Sequence, residues 1–401
     1  MKWEYKTLDQ LGTVSRGKSK HRPRNDPKLF GGKYPFIQTA DVKNADYYIT
    51  KYSDTYNESG LAQSKLWDKG TLCITIAANI ADTGVLAFPA CFPDSIMGFV
   101  PFEGVANTRF IKYCFDRLQR DCKQISQGTA QDNLSWEKLS TIKFCIPEYK
   151  EQCRIADILS AYDDLIENNQ KQIKLLEEAA QRLYKEWFVN LRFPGHENTE
   201  IVDGVPEGWK KNCAENFFEI TIGKTPPRTE KRCFTTGKNG IPWVSIADMG
   251  NSGMFVLNTA ENLTEDAIKQ YNVKVIPKNT VLLSFKLTVG RVAIASTDIC
   301  TNEAIAHFKG RRECEREYTY CYLKNFHYDE LGSTSSISKA VNSKIIKAMP
   351  FIMPSEKLLK EYSSKTKDAF DLIICKQKMD NNLKIARDRI LHKLMSGEVE
   401  V

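Results

Sequence analysis

Residues 164–182 read DLIENNQKQIKLLEEAAQR, and residues 371–389 read DLIICKQKMDNNLKIARDR. Eight of these nineteen positions are identical at an offset of 207 residues, whereas about one identity is expected between unrelated segments. Both segments lie in stretches without proline or glycine, residues 148–193 and 355–396. Each stretch is therefore predicted to form one helix of about forty residues, roughly 60 Å long at about 1.5 Å per residue.

The duplication extends through both halves of the chain. Trp3, Gly17 and Lys18 correspond to Trp209, Gly223 and Lys224 at an offset of 206. PFIQTAD at 35–41 and FCIP at 144–147 correspond to PWVSIAD at 242–248 and FIMP at 351–354 at an offset of 207. A chain of 401 residues also exceeds what a single hydrophobic core usually organises. The sequence predicts two globular domains (1–147 and 206–354), two long helices (148–193 and 355–401) and a linker (194–205).

Each globular domain is predicted to be a mixed α/β (α+β) fold with short strands. Apolar, β-branched runs of strand length predict strands at 34–39, 70–76, 243–246 and 280–285. The fold class is thus a tandem α/β (α+β) repeat whose globular domains are separated by two long helices.

Apolar residues recur along both helices at alternating spacings of four and three, as in a coiled coil. Asn169 is a polar residue on the first seam, where it can fix the register, and Lys376, Asp380 and Arg387 interrupt the second. Because a whole domain lies between the helices in sequence, they are predicted to pair antiparallel. The predicted packing residues are Ile155, Leu159, Tyr162, Ile166, Asn169, Ile173, Leu176, Leu183, Ile373, Leu383, Ile390 and Leu394.

Basic segments stand at corresponding places in the two halves of this chain, whose formal net charge is +7. Arg16, Lys18, Lys20, Arg22 and Arg24 occupy nearly alternate positions of the first half, and the corresponding loop of the second half is also rich in Lys and Arg. One such run alone is typical of a solvated loop. Its repetition favours a polyanionic partner, because each phosphate in contact must be neutralised.

The sequence contains fragments of catalytic signatures, but none of them is complete. GTVSRGKS at 12–19 matches a phosphate-binding loop in its letters, but Pro23 and Pro27 follow where that loop must open a helix. No methyltransferase fingerprint is present, and the five histidines and scattered acids suggest no metal site. Twelve cysteines without a CxxC pair predict reduced thiols. Without an apolar span or signal peptide, a cytoplasmic protein without catalytic residues, bound metal or membrane contact is expected.

Recurring phrases in this order resemble the specificity subunit of type I restriction–modification systems, over essentially the whole chain. They are GKTP at 223–226, IPWV at 241–244, ANI at 78–80 leading to TG at 83–84, DLIENN at 164–169 and LHKLMSGE at 391–398. The first domain departs from the pattern, with GKSK at 17–20 where the second has GKTP.

The resemblance implies a non-catalytic subunit with two target-recognition domains, each reading half of a split duplex DNA sequence. It further implies that the antiparallel coiled-coil helices set the spacing and help to dock two modification (methyltransferase) subunits. Restriction/translocase subunits would join for cleavage. S-adenosylmethionine, ATP and magnesium would be bound by those partner subunits and not by this chain.

Two groups of residues are expected to contact DNA. Basic side chains would hold phosphates, and polar side chains of the loops between strands would read base edges in the major groove. The candidates for phosphate binding are Arg16, Lys18, Lys20, Arg22, Lys224, Arg228, Lys231 and Arg232. The candidates for base reading are Gln38, Asn79, Asp82 and Thr83 in the first half and Ser245, Lys286, Thr288 and Arg291 in the second.

Two other classes of protein remain open from the sequence. A coiled-coil scaffold could use its globular domains to bind proteins without recognising DNA. A single chain that both methylates and recognises DNA is disfavoured by the missing methyltransferase motifs.

Overall fold

The computed structural model describes residues 3–76, 82–125, 136–237, 239–286, 288–331 and 341–400. The chain forms two compact units, Met1–Ile166 with Asn382–Val401, and Glu167–Asn381. Each unit therefore contains one globular domain and a segment of both long helices.

The first half of the chain alternates short strands and helices before the first long helix. Its elements are β1 (Glu4–Lys6), α1 (Leu8–Leu11), β2 (Gly12–Arg16), β3 (Phe30–Phe36), α2 (Thr39–Lys43), β4 (Tyr48–Ile49), β5 (Asp54–Tyr56), α3 (Glu58–Ala62), β6 (Leu72–Thr75), β7 (Thr83–Leu86), β8 (Ile96–Pro101), α4 (Thr108–Ile125), α5 (Trp136–Thr141), β9 (Phe144–Ile146) and α6 (Tyr149–Tyr184). A 3₁₀ turn spans Pro27–Leu29, and a π-helical turn, Lys185–Val189, continues α6.

The second half repeats this order after a short hairpin. Its elements are β10 (Ile201–Val202), β11 (Val205–Pro206), β12 (Lys210–Cys213), β13 (Glu219–Ile222), β14 (Phe234–Thr235), β15 (Ile241–Val244), α7 (Ile246–Asn251), β16 (Phe255–Val256), β17 (Glu261–Leu263), α8 (Glu265–Tyr271), β18 (Val281–Ser284), β19 (Val292–Ala295), β20 (Cys300–Thr301), β21 (Ile305–Lys309), α9 (Arg316–Asn325), α10 (Ser343–Ala348), β22 (Pro350–Met353) and α11 (Glu356–Ser396). The 3₁₀ turns are His196–Asn198, Ala214–Asn216, Lys231–Cys233, Glu313–Glu315 and Tyr328–Leu331.

The two units contain the same five-stranded sheet. Its strand order is β2-β8-β6-β7-β4 in the first unit and β13-β21-β18-β19-β16 in the second. In both sheets the last pair is parallel and the others are antiparallel. The registers also correspond, since Leu72 faces Phe99 as Val281 faces Phe308. The predicted tandem α/β (α+β) repeat is confirmed.

The central strand of each sheet is buried on both faces. In β6, Leu72 and Ile74 belong to the core that includes Phe110 of α4, while Cys73 packs with Trp67 on the opposite face. In β18 the same alternation separates Val281 and Leu283 from Leu282. Burial on both faces explains why these strands read as continuous apolar runs.

The long helices run antiparallel within each unit. In the second unit, Tyr362 Oη donates to the carbonyl of Ala180 at 3.2 Å, while Asn169 contacts Asp380. Residue numbers thus rise along α6 as they fall along α11. In the first unit, Arg387 pairs with Asp163, and Ile155 shares a core with Leu391 and Leu394. The predicted antiparallel helices are confirmed, with α11 comprising 41 residues.

Two predicted strands end earlier than their sequences suggest. β3 ends at Phe36 and β15 at Val244, because the next residues start the short helices α2 and α7. Gln38 and Ser245 are the N-caps of these helices, and Asp41 and Asp248 complete capping boxes. The capping hydrogen bonds turn the chain out of the sheet at corresponding points in both halves.

Candidate nucleic-acid interface

The backbone of the first basic segment is held in place by close contacts directly after β2. Gly17 packs so closely that an added Cβ would lie 2.3 Å from the carbonyl oxygen of Phe92. Ser64 Oγ donates a hydrogen bond to the carbonyl of Lys18 at 2.7 Å. Gly12–Arg16 is a strand, so the resemblance of 12–19 to a phosphate-binding loop has no structural counterpart. The four candidate side chains of this segment are all exposed: Arg16, Lys18, Lys20 and Arg22.

One of these four side chains is turned back on its own loop. The guanidinium of Arg22 donates to the carbonyls of Ser19 at 2.6 Å and His21 at 2.8 Å. Within the described part of the chain, no acid pairs with the other three, Arg16, Lys18 and Lys20. These three therefore present unneutralised charge to solvent.

The second basic segment is attached to a buried hydrogen-bonded chain. Lys224 donates its backbone N–H to the carbonyl of Thr301 at 2.9 Å. The Thr301 hydroxyl lies 2.6 Å from Nε2 of His307, whose Nδ1 lies 2.8 Å from the hydroxyl of Thr221. Burial lowers the pKa of His307 to about 4, so this imidazole is neutral at neutral pH. Gly223 is fixed here, since an added Cβ would lie 2.1 Å from Thr301 Oγ1.

Arg228 is held between two aromatic rings. Its guanidinium lies 4.2 Å from the ring centre of Phe234 and 4.6 Å from that of Trp243. It also pairs with Glu261 at 2.6 Å while its side chain remains 51% exposed. The two cation–π contacts and the ion pair orient the charge without removing it from solvent.

The remaining basic candidates of the second unit are exposed. Lys224 and Lys231 have no ion pair within the residues that the structure describes. Arg232 donates to Glu230 at 3.0 Å. A hydrogen bond from Tyr271, together with this arginine, lowers the pKa of Glu230.

The base-reading candidates of the first half have unequal access to solvent. Gln38 is exposed and donates through Nε2 to Asp54 at 2.5 Å. Asp82 is half-buried and accepts a 3.5 Å hydrogen bond from Gln119. Thr83 lies in β7 and is 5% exposed. Asn79 lies outside the described residues.

The base-reading candidates of the second half include two that hold the loops together. Ser245 Oγ donates to Asp248 at 2.7 Å, and Arg291 Nη1 donates to the carbonyl of Ile246 at 2.9 Å. Lys286 is exposed and Thr288 is half-buried. Lys286 and Thr288 are thus the members of this group whose side chains no described hydrogen bond engages, although the Lys286 ammonium lies 5.8 Å from the ring of Phe285.

Glu303 connects the second basic segment with the loop of Lys286. Burial acts to raise its pKa, but a hydrogen bond from Thr225 and the charges of Lys286 and Arg228 leave the pKa below its usual value. The charges of Arg228 and Lys286 therefore act on one carboxylate, which locates them at the same end of the sheet.

The predicted packing residues of the helices lie inward with different degrees of burial. Ile155, Leu159, Ile166, Asn169, Ile373 and Leu394 are buried. Tyr162, Ile173, Leu176, Leu183, Leu383 and Ile390 are half-buried.

The polar residues that interrupt the seams are partners of one another. In the second unit, Asn169 Nδ2 donates to Asp380 at 2.8 Å and its Oδ1 accepts from Lys376 at 3.3 Å. In the first unit, Asp163 pairs with Arg387 and accepts from Tyr113 Oη at 2.5 Å. Burial raises the pKa of Asp163, an effect that Arg387 opposes. Asn169, Lys376, Asp380 and Arg387 are predicted from the sequence as interruptions of the seams, whereas Asp163 is not.

The described residues contain neither a metal-ligand cluster nor a membrane-spanning helix. Within them, no cluster of three His, Cys, Asp or Glu side chains could hold a metal ion, and every cysteine carries a free thiol. None of the helices that the structure describes is both long enough and apolar enough to cross a membrane.

Comparison with known proteins gives a family match in both halves of the chain. The family described as Type I restriction modification DNA specificity domain matches residues 1–178 and again 206–373. The chain is 27% identical over 419 residues to the type I restriction enzyme MjaIX specificity subunit of Methanocaldococcus jannaschii, covering 100% of this chain and 94% of that protein. It is 24% identical over 329 residues to the HindI specificity subunit of Haemophilus influenzae, covering 66% and 71%.

A solved structure has the same fold. A crystal structure of a type I restriction–modification system S subunit from M. genitalium matches with a TM-score of 0.57 at 16% identity. The match covers 98% of this chain and 96% of that one.

Proposed function

The chain belongs to the family of type I restriction modification DNA specificity domains, and from this premise we propose that its two units read the two halves of one split DNA target. In this family the chain is the recognition subunit of a restriction–modification complex, and catalysis resides in other subunits. We assign 1–147 and 206–354 as the target-recognition domains, 148–193 and 355–401 as the spacer helices, and 194–205 as the linker.

One observation carries this proposal. Both units contain the same sheet, but the loops that follow its strands have different side chains. The two five-stranded sheets share strand order and register. The side chains of the corresponding loops differ. The loop between β18 and β19 has Lys286, Thr288 and Arg291, whereas the loop between β6 and β7 ends with Asp82 and is followed by Thr83. A common scaffold with different polar groups is what reading two unlike half-sequences requires.

Phosphate contacts are assigned to the exposed cations of both basic segments: Arg16, Lys18, Lys20, Arg22, Lys224, Arg228, Lys231 and Arg232. Base contacts are assigned to Gln38, Asn79, Asp82, Thr83, Ser245, Lys286, Thr288 and Arg291. Exposure favours Gln38 and Lys286 for direct contact, and the half-buried Thr288 is favoured because no described hydrogen bond engages its side chain. Ser245, which hydrogen-bonds to Asp248, and Arg291, which joins the β18–β19 turn to Ile246 of α7, would act chiefly by holding the shape of these loops.

We propose that the helix pair sets the distance between the two half-sequences of the DNA target. The buried polar partners of the two helices, Asn169 with Asp380 and Asp163 with Arg387, support a single register, because a slip would separate these pairs in the interior.

We further assign two methyltransferase subunits and restriction/translocase subunits as partners, with S-adenosylmethionine, ATP and magnesium bound by them. The complex would act on chromosomal DNA in the cytoplasm.

The test is a methylation map of the reconstituted complex. The full chain, its methyltransferase subunit and S-adenosylmethionine are incubated with genomic DNA, and modified bases are located by sequencing. Replacing Lys286 and Thr288 together by Ala should relax one half of the target and leave the other unchanged. Lys274→Ala, an exposed lysine outside these loops, should change neither half. Altered preference in both halves, or in neither, contradicts the division of labour. A scaffold that ignores DNA would give no modified sites at all.

A further inference from the structure

A cavity of about 630 Å³ lies at one end of the sheet of the second unit. It is bounded by the turn at 277–281, the end of β21, the start of α9, and one face of α11 that includes Ser363 and Lys367. All these segments belong to the second unit.

The first unit has a smaller cavity at the corresponding place. Its volume is about 360 Å³, and it lies between the turn at 65–71, the end of β8 and Thr108 at the start of α4. The two turns correspond in their positive-φ residue and the lysine before it: Lys69 precedes Gly70 (φ +88°), and Lys278 precedes Asn279 (φ +71°). Because a cavity occurs at the same place in both units, we expect both units to bind the same kind of ligand there.

The position of the cavities separates them from the candidate DNA-reading loops. β18 begins at the cavity and ends at the loop of Lys286, while β13 begins beside the cavity at Glu219 and ends at the second basic segment. The strand registers of the first unit give the same arrangement. About four residues of strand, roughly 13 Å, lie between the two ends. The ligand of the cavity is therefore distinct from the DNA contacted by these loops.

The charge of the larger cavity favours an anion, because its lining has six Lys and Arg side chains against four acids, of which Glu313 and Asp371 are exposed. The buried acids Glu315 and Glu317 are already neutralised, the former by Arg312 at 2.7 Å and the latter by Arg316 at 2.5 Å. Among the described residues, no acid pairs with three further cations of the lining. These exposed cations are Lys278, Arg311 and Lys367. Carboxylate groups are the anions that a protein partner offers to such exposed Lys and Arg side chains.

We propose that the cavity of the second unit binds an acidic segment of the methyltransferase subunit, through Lys278, Arg311 and Lys367. The proposal rests on the proposed function, which makes that subunit a partner. The face of α11 in the cavity wall makes the site continuous with the helices assigned to docking. The first unit's cavity, with Lys69, binds the same segment of a second copy of that subunit.

The test measures association with the purified methyltransferase subunit in the absence of DNA. The full chain carries Lys278→Glu, Arg311→Glu and Lys367→Glu together. The matched control carries Lys210→Glu, Lys269→Glu and Lys344→Glu, which change the net charge equally at exposed positions outside the cavity. The affinity should fall at least about tenfold in the cavity variant and less than about twofold in the control, because opposed charges now meet at the contact. The triple alanine variant should lie between them.

The same proteins are tested for binding to mixed-sequence duplex DNA, with thermal denaturation to compare their folding. Unchanged DNA affinity in the cavity variant, with weakened subunit association, supports the proposal. Unchanged subunit association in both the glutamate and alanine variants overturns it, as does a loss of DNA affinity alone, which would assign the cavity to phosphates. The proposed function fails separately if the wild-type complex assembles but methylates no sequence.

Discussion

Removing Arg387 should destabilise the first unit strongly at neutral pH. Its partner Asp163 is 2% exposed at the side chain and would retain only the hydrogen bond from Tyr113. Breaking a buried ion pair by removing one member costs about 3–5 kcal/mol. Because whole domains have only about 5–15 kcal/mol of stability, Arg387→Met should lower the urea midpoint of this unit substantially.

The loss should shrink as the pH is lowered. Burial raises the pKa of Asp163 and Arg387 opposes that rise, so the pKa increases further in the variant. The folded variant then holds a proton that the unfolded chain releases above about pH 4, so its stability falls as the pH rises through the Asp163 pKa. Urea denaturation at pH 7.5 and pH 5 measures this difference.

The double variant Asp163→Asn with Arg387→Met is the matched control. The asparagine carbonyl still accepts from Tyr113, and no charge is buried. We expect it to be at least about 2 kcal/mol more stable than Arg387→Met at pH 7.5, without the added pH dependence. The reasoning is refuted if Arg387→Met costs less than about 1 kcal/mol, or if the double variant is no more stable than the single one.

Three further predictions concern the second unit. Asn169→Leu removes the buried amide that donates to Asp380 and accepts from Lys376 and should cost about 1–3 kcal/mol in urea denaturation; a neutral effect would mean that the seam does not depend on these two hydrogen bonds. Gly223→Ala should lower the melting temperature, with a cost of about 1–3 kcal/mol, because the added Cβ meets Thr301; unchanged melting would show that the loop is free to shift. His307, with a pKa of about 4, should make the unit lose roughly 3 kcal/mol as the pH falls from about 6.5 to 4. His307→Gln should remove that loss, and persistence of the loss would assign it to other groups.

The sequence predicted the features that depend on periodicity. The repeat, the two helices and their polar interruptions follow from residues spaced at a fixed interval, and eight identities in nineteen positions needed no tertiary information. The partners of Asn169 and Arg387 could not be read in this way, because the pairing register of two distant helices is set by packing.

The candidate site was less accessible to sequence reasoning. The base-reading candidates Ser245 and Gln38 occupy helix N-cap positions, and SIAD at 245–248 contains the capping-box signal for the position of Ser245. Only Ser245 caps with its side chain, whereas that of Gln38 donates to Asp54. The contact of Arg291 with a carbonyl, the burial of Thr83 and the two cavities depend on strand pairing, which no local pattern encodes.

The most direct test of the central claim, that one chain reads two half-sequences at a fixed gap, is a spacer series. Four residues, about one helical turn, are inserted in α6 next to Asn169, with a compensating insertion in α11. Methylation by the reconstituted complex is then measured on targets whose gap varies one base pair at a time. The account predicts one preferred gap for the wild type and a different preferred gap for the paired insertion. Equal methylation at every gap, or the same preference in both proteins, would contradict it.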